Sequence, residues 1–174
     1  MKCSVFIATS LDGYIARRDN SLDWLTAYDN GGVGYGYAEF MATVDTLVIG
    51  RGTYDVVLGF ENWPYQGKRV VVLTNRPAEV KQGVELVAAT PAELATRLER
   101  DGVNHAYIDG GNVIRQFLAA GLVDAITLSM IPVVLGDGIP LFAPIGALDL
   151  HFELLGAQPY NTGVAQLRYA KSRR

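Results

Sequence analysis

Hydrophobic positions in this chain follow two rhythms. Short, β-branched apolar runs lie at Lys2–Thr9, Asp45–Gly50, Arg69–Thr74, Val84–Ala88 and Ala106–Asp109. Between them the spacing is helical. Tyr37–Val44 puts Phe40, Met41 and Val44 on one side, and Thr53–Leu58, Thr90–Arg100 and Asn112–Ala120 continue the series. Thr90-Pro91-Ala92-Glu93 carries an N-cap, a proline at the first helical position and an acid at the third, so a helix begins there. Arg69–Thr74 is apolar on both faces, as a buried parallel strand requires. After residue 123 the alternation stops. Ala125–Val134, Asp149–Gln158 and Val164–Ala170 follow one another without helices, and Pro132 marks an edge or an end of the first. The pattern predicts one α/β domain over residues 1–174, a three-layer α/β/α sandwich. Its sheet is mixed and mostly parallel, with antiparallel C-terminal strands.

Composition narrows the function classes. Of 174 residues, 49% are apolar and 19% charged, enough for a substantial core, and the net charge of −3 gives no reason to expect nucleic acid or an anionic membrane. No apolar run approaches the ~18–20 residues that span a bilayer, and no signal-peptide pattern opens the chain. A soluble, cytoplasmic protein is expected. Cys3 is the only cysteine. His105 and His151 have no partner at metal-ligand spacing, so no metal site is expected.

The chemistry concentrates in three strand-to-polar-turn segments. Thr46-Leu-Val-Ile-Gly50 runs into Arg51-Gly-Thr-Tyr-Asp55. Val72-Leu73 runs into Thr74-Asn75-Arg76. Ile108-Asp109 runs into Gly110-Gly111-Asn112. Helix N-termini present unpaired N–H groups and favour phosphate, so three such turns suggest one nucleotide site built from several strand ends. The Gly-x-Gly at Gly50 lacks a third glycine, since Asp55 takes that place, and no acid stands about 20 residues on, so the dinucleotide fingerprint is not met. Lys68, Arg69, Asn75 and Arg76 suit a cofactor with an extra 2′-phosphate instead. Phosphate-binding P-loop and serine-hydrolase elbow motifs are absent from the sequence. Asp29–Tyr37 is rich in glycine and tyrosine and reads as a loop over a flat substrate, with Tyr28, Tyr35 and Tyr37 as stacking groups, or as a plain surface connection.

Together these segments resemble the dihydrofolate reductase fold, and more closely the stand-alone relatives of the riboflavin-biosynthesis reductase domain, the C-terminal domain of the bifunctional deaminase–reductase. The resemblance rests on Ala8-Thr-Ser-Leu-Asp-Gly-Tyr-Ile15, Ile49-Gly-Arg-Gly-Thr-Tyr54, Val72-Leu-Thr-Asn-Arg76, Ile108–Phe117 and Leu128–Gly138, in family order over nearly the whole chain. It implies NADPH. Ala8 and Ile15 would line the nicotinamide pocket. Gly50, Arg51, Thr53, Thr74, Asn75 and Arg76 would hold the adenosine 2′-phosphate end. Gly110, Gly111, Asn112 and Val113 would approach the pyrophosphate.

The chain departs from dihydrofolate reductases in its acid. Their carboxylate falls near Gly34 or Tyr35 here, neither of them acidic, while Asp29 keeps the family spacing after Trp24. Asp29, a tyrosine or a water is the expected proton donor. A phosphoribosyl substrate would need a cation, for which Arg17, Arg18 and Lys68 are candidates. The expected function is NADPH-dependent reduction of a small heterocycle, similar to 5-amino-6-(5-phosphoribosylamino)uracil reductase or dihydrofolate reductase. The alternative is a non-catalytic NADPH-binding or metabolite-sensing module. A homodimer through the C-terminal strands is the expected assembly.

Overall fold

The computed structural model describes residues 1–28, 34–146 and 149–172. Ten strands and five α-helices are assigned in this part. The strands are β1 (Lys2–Thr9), β2 (Tyr14–Ala16), β3 (Thr46–Gly50), β4 (Arg69–Leu73), β5 (Val84–Val87), β6 (His105–Asp109), β7 (Ala125–Met130), β8 (Ile139–Pro140), β9 (Phe152–Pro159) and β10 (Ala165–Lys171). The helices are α1 (Asp23–Thr26), α2 (Tyr37–Ala42), α3 (Arg51–Leu58), α4 (Pro91–Arg100) and α5 (Gly111–Ala119). Eight strands form one sheet in the order β5-β4-β3-β6-β1-β7-β10-β9, and β2 pairs with β8 outside it. The six strands from β5 to β7 are parallel; β10 and β9 are antiparallel.

Strand alternation divides the core into two layers. Leu47, Ile49, Val70, Val72 and Tyr107 face Tyr54 and Val57 of α3, with Phe40 and Met41 of α2. The intervening Val48, Val71, Ala106 and Ile108 face Leu94 and Leu98 of α4 and Ile114 and Phe117 of α5. Helices therefore cover both faces, as the three-layer expectation required. Each fully buried aliphatic side chain contributes about 1.5–3 kcal/mol of transfer free energy. α4 starts where its capping box lies: the Thr90 side chain accepts from the Glu93 backbone, and Glu93 accepts from the Thr90 N–H at 2.8 Å.

Some boundaries differ from expectation. The third helix starts at Arg51, not Thr53, because Gly50 in an extended conformation acts as its N-cap. This puts Arg51 and Thr53 in the first helical turn. The run Ala125–Val134 stops being strand at Met130, just before Pro132, and β7 is interior rather than an edge. The short pair β2–β8 had no signal in the sequence. It brings the Tyr14–Ala16 return against Ile139–Pro140. Asp12 fixes that arrangement by accepting from Ser10 Oγ (2.6 Å), Leu135 N (3.1 Å) and Gly136 N (2.7 Å).

One break in the sheet positions the site. The β1–β6 ladder runs from Lys2↔His105 only to Ser4↔Tyr107, whereas β1 stays paired with β7 as far as Thr9↔Met130. On its other side β6 stays paired with β3 through Asp109. The sheet thus opens between β1 and β6 at the C-terminal ends of the strands, the usual place for a ligand crevice in an open α/β sheet.

Candidate active site

A cleft of about 810 Å³ occupies this opening. Its lining joins the ends of four strands. β1 gives Phe6, Ile7 and Ala8. The β3–α3 junction gives Gly50, Arg51, Gly52 and Thr53. Leu73 to Arg76 follow β4, and Asp109 to Asn112 follow β6. Ile15, Ala16, Asn20, Leu22 and Leu25 close one end, and Tyr37, Val57, Phe60 and Tyr65 close a wall. Three turns that lie up to about sixty residues apart in sequence thus meet in one cavity, because their strands β4, β3 and β6 are neighbours in the sheet.

The turns are held by short-range chemistry. Thr74 Oγ1 accepts from the Arg76 N–H at 3.1 Å and closes the loop after β4. Arg51 Nε donates to Asp55 Oδ1 at 2.7 Å, one helical turn on, and its Nη1 donates to the Pro77 carbonyl at 2.6 Å. These two bonds aim the guanidinium and leave it further N–H donors. Arg115 of α5 also lines the cleft and donates to the Pro140 carbonyl at 2.6 Å. Gly110 has φ +90°, and a side chain there would collide with Thr53 Oγ1. A Cβ on Gly111 would come within 2.9 Å of Ile15 Cδ1 and 3.0 Å of Arg115 Nη1. The two glycines therefore make a bare backbone cradle beside the N-termini of α3 and α5, where an anion gains from unpaired N–H groups. Arginines, hydroxyls, an amide and a side-chain-free backbone fit a phosphorylated dinucleotide with a 2′-phosphate.

Of the residues expected at a cofactor, Ala8, Ile15, Gly50, Arg51, Thr53, Thr74, Asn75, Arg76, Gly110, Gly111 and Asn112 line the cleft. Val113 does not. It is 1% exposed and belongs to the core between α5 and the sheet, because it lies on the sheet-facing side of the helix. Asp29, the expected proton donor, lies outside the described residues. Tyr37 lines the cleft, but Tyr35 turns elsewhere: its hydroxyl donates to the Tyr28 carbonyl and lies 3.1 Å from Thr162 Oγ1. Arg17, Arg18 and Lys68 are not in the lining. Arg17 pairs with Asp23, Arg18 with Asp137, and Lys68 donates to the Val44 carbonyl.

Among the described residues, the acid that lines the cleft is Asp109. It ends β6 two residues after Tyr107, so alternation puts both on the face that carries Phe6, Tyr37 and Tyr65. Burial pushes its carboxyl up from 3.8 to about 6, although the Gly110 N–H donates to Oδ1 at 2.8 Å. The tyrosines around it respond in kind. Burial first, and then the Asp109 charge, raise Tyr37 to about 12 and raise Tyr65 and Tyr107 as well. Tyr107 is otherwise engaged, its hydroxyl donating to the Phe6 carbonyl at 2.8 Å across the gap between β6 and β1. Tyr37 packs edge-on against Phe6 with ring centroids 5.5 Å apart. The cleft thus has an aromatic, weakly polar half around one carboxyl and a cationic half around Arg51 and Arg76. Sequence reasoning assigned Asp109 only to a turn. Its signal was its place two residues beyond Tyr107, on one face of a strand that ends in glycines.

Comparisons with known proteins bear on the fold. Residues 62–166 match the family described as the RibD C-terminal domain. The chain is 34% identical over 174 residues to the uncharacterized protein YwjB of Bacillus subtilis, covering 98% of each. It is also 29% identical over 127 residues to the dihydrofolate reductase HdrB of Haloferax volcanii, covering 68% of this chain and 62% of that protein. The crystal structure of a putative riboflavin biosynthesis protein from Shewanella sp. PV-4 superposes with a TM-score of 0.92 at 40% identity, covering 99% of this chain and 100% of the other.

Proposed function

The chain belongs to the RibD C-terminal domain family, and from that premise we propose that it is an NADPH-dependent reductase of a small heterocyclic substrate. The observation that carries this reading is the meeting of the three turns in one cleft with Asp109 among them. A relative that is a dihydrofolate reductase lends it further support.

Arg51, with Thr74, Asn75 and Arg76, holds the 2′-phosphate end. Gly110, Gly111 and Asn112, with the first turns of α3 and α5, receive the pyrophosphate. Ala8 and Ile15 border the nicotinamide pocket. NADPH supplies the hydride. The chain's own residues align the substrate, exclude water and deliver a proton. A carboxyl near 6 is partly protonated at neutral pH, and Asp109 is the group placed to give that proton. The non-catalytic alternative was motivated by the missing acid before the Gly-Arg turn; Asp109 in the cleft weighs against it from a different position.

Two further parts of the reading concern the protein as a whole. No helix among the described residues is long and apolar enough to cross a membrane, and we place the protein in the cytoplasm. β9 is an edge strand with Leu154 and Leu155 at 56% and 64% exposure, which supports a homodimer built on the C-terminal strands.

The deciding experiment is a fluorescence titration with NADPH, followed by NADPH oxidation in the presence of dihydropterins, aminopyrimidines and quinones. Binding with turnover of one of these is the expected result. Absence of NADPH binding sinks the reading, and binding without turnover returns the non-catalytic alternative.

A further inference from the structure

We infer that Tyr54 is a positioning residue for the cofactor's 2′-phosphate: its hydroxyl straps the loop that carries Asn75 and Arg76 onto α3, and so sets a preference for NADPH over NADH. This rests on the cofactor assignment made above. The loop is residues 74–83, between β4 and β5, and it contains neither helix nor strand. At one end the Thr74 N–H donates to the Val87 carbonyl at 2.9 Å, and at the other the Lys81 carbonyl accepts from the Val84 N–H at 3.1 Å. Between these ties, residues 75–80 make no backbone-to-backbone hydrogen bond among the described residues. The conformation of this stretch therefore has to be imposed by side chains.

Much of it is imposed by one face of α3. Arg51 and Tyr54 stand three residues apart, so their side chains rise from the same side of the helix. Arg51 Nη1 donates to the Pro77 carbonyl at 2.6 Å. The Tyr54 hydroxyl donates to the Glu79 carbonyl at 2.9 Å and accepts from the Lys81 N–H at 3.2 Å. A phenol can do both at once, and here it grips the chain on either side of Val80. Val80 itself is 48% exposed, so burial of its side chain does not hold the loop. The ring that carries the hydroxyl is fully buried and packs edge-on against Trp63, with centroids 6.2 Å apart. The Lys81 ammonium lies over Trp63 in turn, 5.1 Å from the ring centroid.

Thr74, Asn75 and Arg76 line the cleft, whereas Tyr54, Glu79 and Lys81 do not. Tyr54 thus acts through the loop rather than on the cofactor. A loop already held in its binding shape loses less freedom when the phosphate arrives. Without the hydroxyl the ring still fills its place, but the Glu79 carbonyl and the Lys81 N–H turn to water. The stretch that bears Asn75 and Arg76 then gains freedom that binding of a 2′-phosphate must remove. NADH lacks that phosphate, and its affinity depends less on the loop.

Wild-type protein, Tyr54→Phe and Pro77→Gly are titrated by fluorescence with NADPH and with NADH. Wild-type protein that does not bind NADPH, or does not prefer it to NADH, overturns the cofactor assignment and this inference together. Given that preference, Tyr54→Phe is expected to weaken NADPH roughly three- to tenfold and NADH by less than about twofold, and adenosine 2′,5′-bisphosphate should lose the same factor as NADPH. Pro77 is exposed, so Pro77→Gly keeps the fold; it frees the same loop through its backbone and is expected to lower the ratio in the same direction. A residue that served stability alone would leave the ratio of the two affinities unchanged. A parental ratio in either variant, with the wild-type preference present, overturns the inference and leaves the cofactor assignment standing.

Discussion

Gly110 lies against the hydroxyl of Thr53 with no room for a side chain between them. The contact locks the turn after β6 to the first turn of α3, and a second one, Val113 Cγ2 at 3.1 Å from a Cβ built on Gly50, does the same from the other side. The cofactor cradle is therefore a packed unit of two turns rather than two loops that happen to be near each other.

Gly110→Ala should lower stability by about 1–3 kcal/mol, because a left-handed conformation is strained for alanine and the new methyl meets Thr53. Adding Thr53→Ala should restore part of the loss. Urea melts of the two single variants and the double variant measure this, and a coupling within error of zero would mean that the turns do not interlock.

Arg51→Ala should weaken NADPH roughly ten- to hundredfold, the scale of a charge-assisted hydrogen bond, and NADH much less. Paired titrations read the ratio. Equal losses for the two cofactors would remove the 2′-phosphate assignment.

Asp109 makes two opposed demands. Its carboxyl stands at about 6 in the fold against 3.8 for an ordinary aspartate. The folded state therefore holds more protons between those values. The stability this gives is present below pH ~4 and is lost as pH rises through 6, for a cost of roughly 1–3 kcal/mol above that. Asp109→Asn should thus stabilise the protein at pH 7.5 and leave it nearly unchanged at pH 3.5. It should also lower kcat by about 10²–10⁴-fold and abolish the fall in rate above pH 6. A variant with full activity and the parental pH profile would return attention to Asp29.

Much of this site was legible in the sequence because turn chemistry is local. Gly50 and Gly110 each announce the end of a strand by residue type alone, and Asn75 does so after β4. What was not legible depends on pairing. The register gap between β1 and β6 cannot be read from either strand, and without it Asp109 is merely a residue before two glycines. The burial of the Val113 side chain shows the same limit: proximity to Gly111 in sequence says nothing about which side of α5 a side chain faces. The β2–β8 pair is too short for a periodic signal, and its cause, the Asp12 carboxylate bridging to Leu135 and Gly136, spans the chain.

His105 gives an acid limit to stability. Its Nδ1 lies 3.0 Å from the Thr43 carbonyl and its Nε2 lies 2.8 Å from Ser4 Oγ, an arrangement met by the neutral ring with the proton on Nδ1. Burial depresses its pKa below 6.5. The unfolded chain therefore takes up the proton first. The contribution is complete above pH 6.5 and fades as pH falls below it. His105→Gln should cost about 1–3 kcal/mol at pH 7.5 and flatten the stability curve between pH 7 and 5. Melts that keep the parental slope would show that another group controls it.

If the C-terminal strands form the dimer, Leu155→Lys should shift the protein toward monomer in sedimentation velocity at equal concentration, with NADPH affinity intact. A parental sedimentation coefficient would move the interface elsewhere.

The position of β1 carries a consequence for how the protein is made. Of the strands in this sheet β1 is made before all the others, yet it is held on both sides by strands more than a hundred residues downstream, at His105–Tyr107 and Ala125–Met130. Remove it and the sheet falls into two pieces, β5-β4-β3-β6 and β7-β10-β9. During synthesis, β1 therefore waits with both hydrogen-bonding edges open until its two partners, β6 and β7, have emerged. The apolar residues of that strand are the segment a nascent-chain chaperone would have to shield, and closure over so long a loop makes its insertion a slow step in folding.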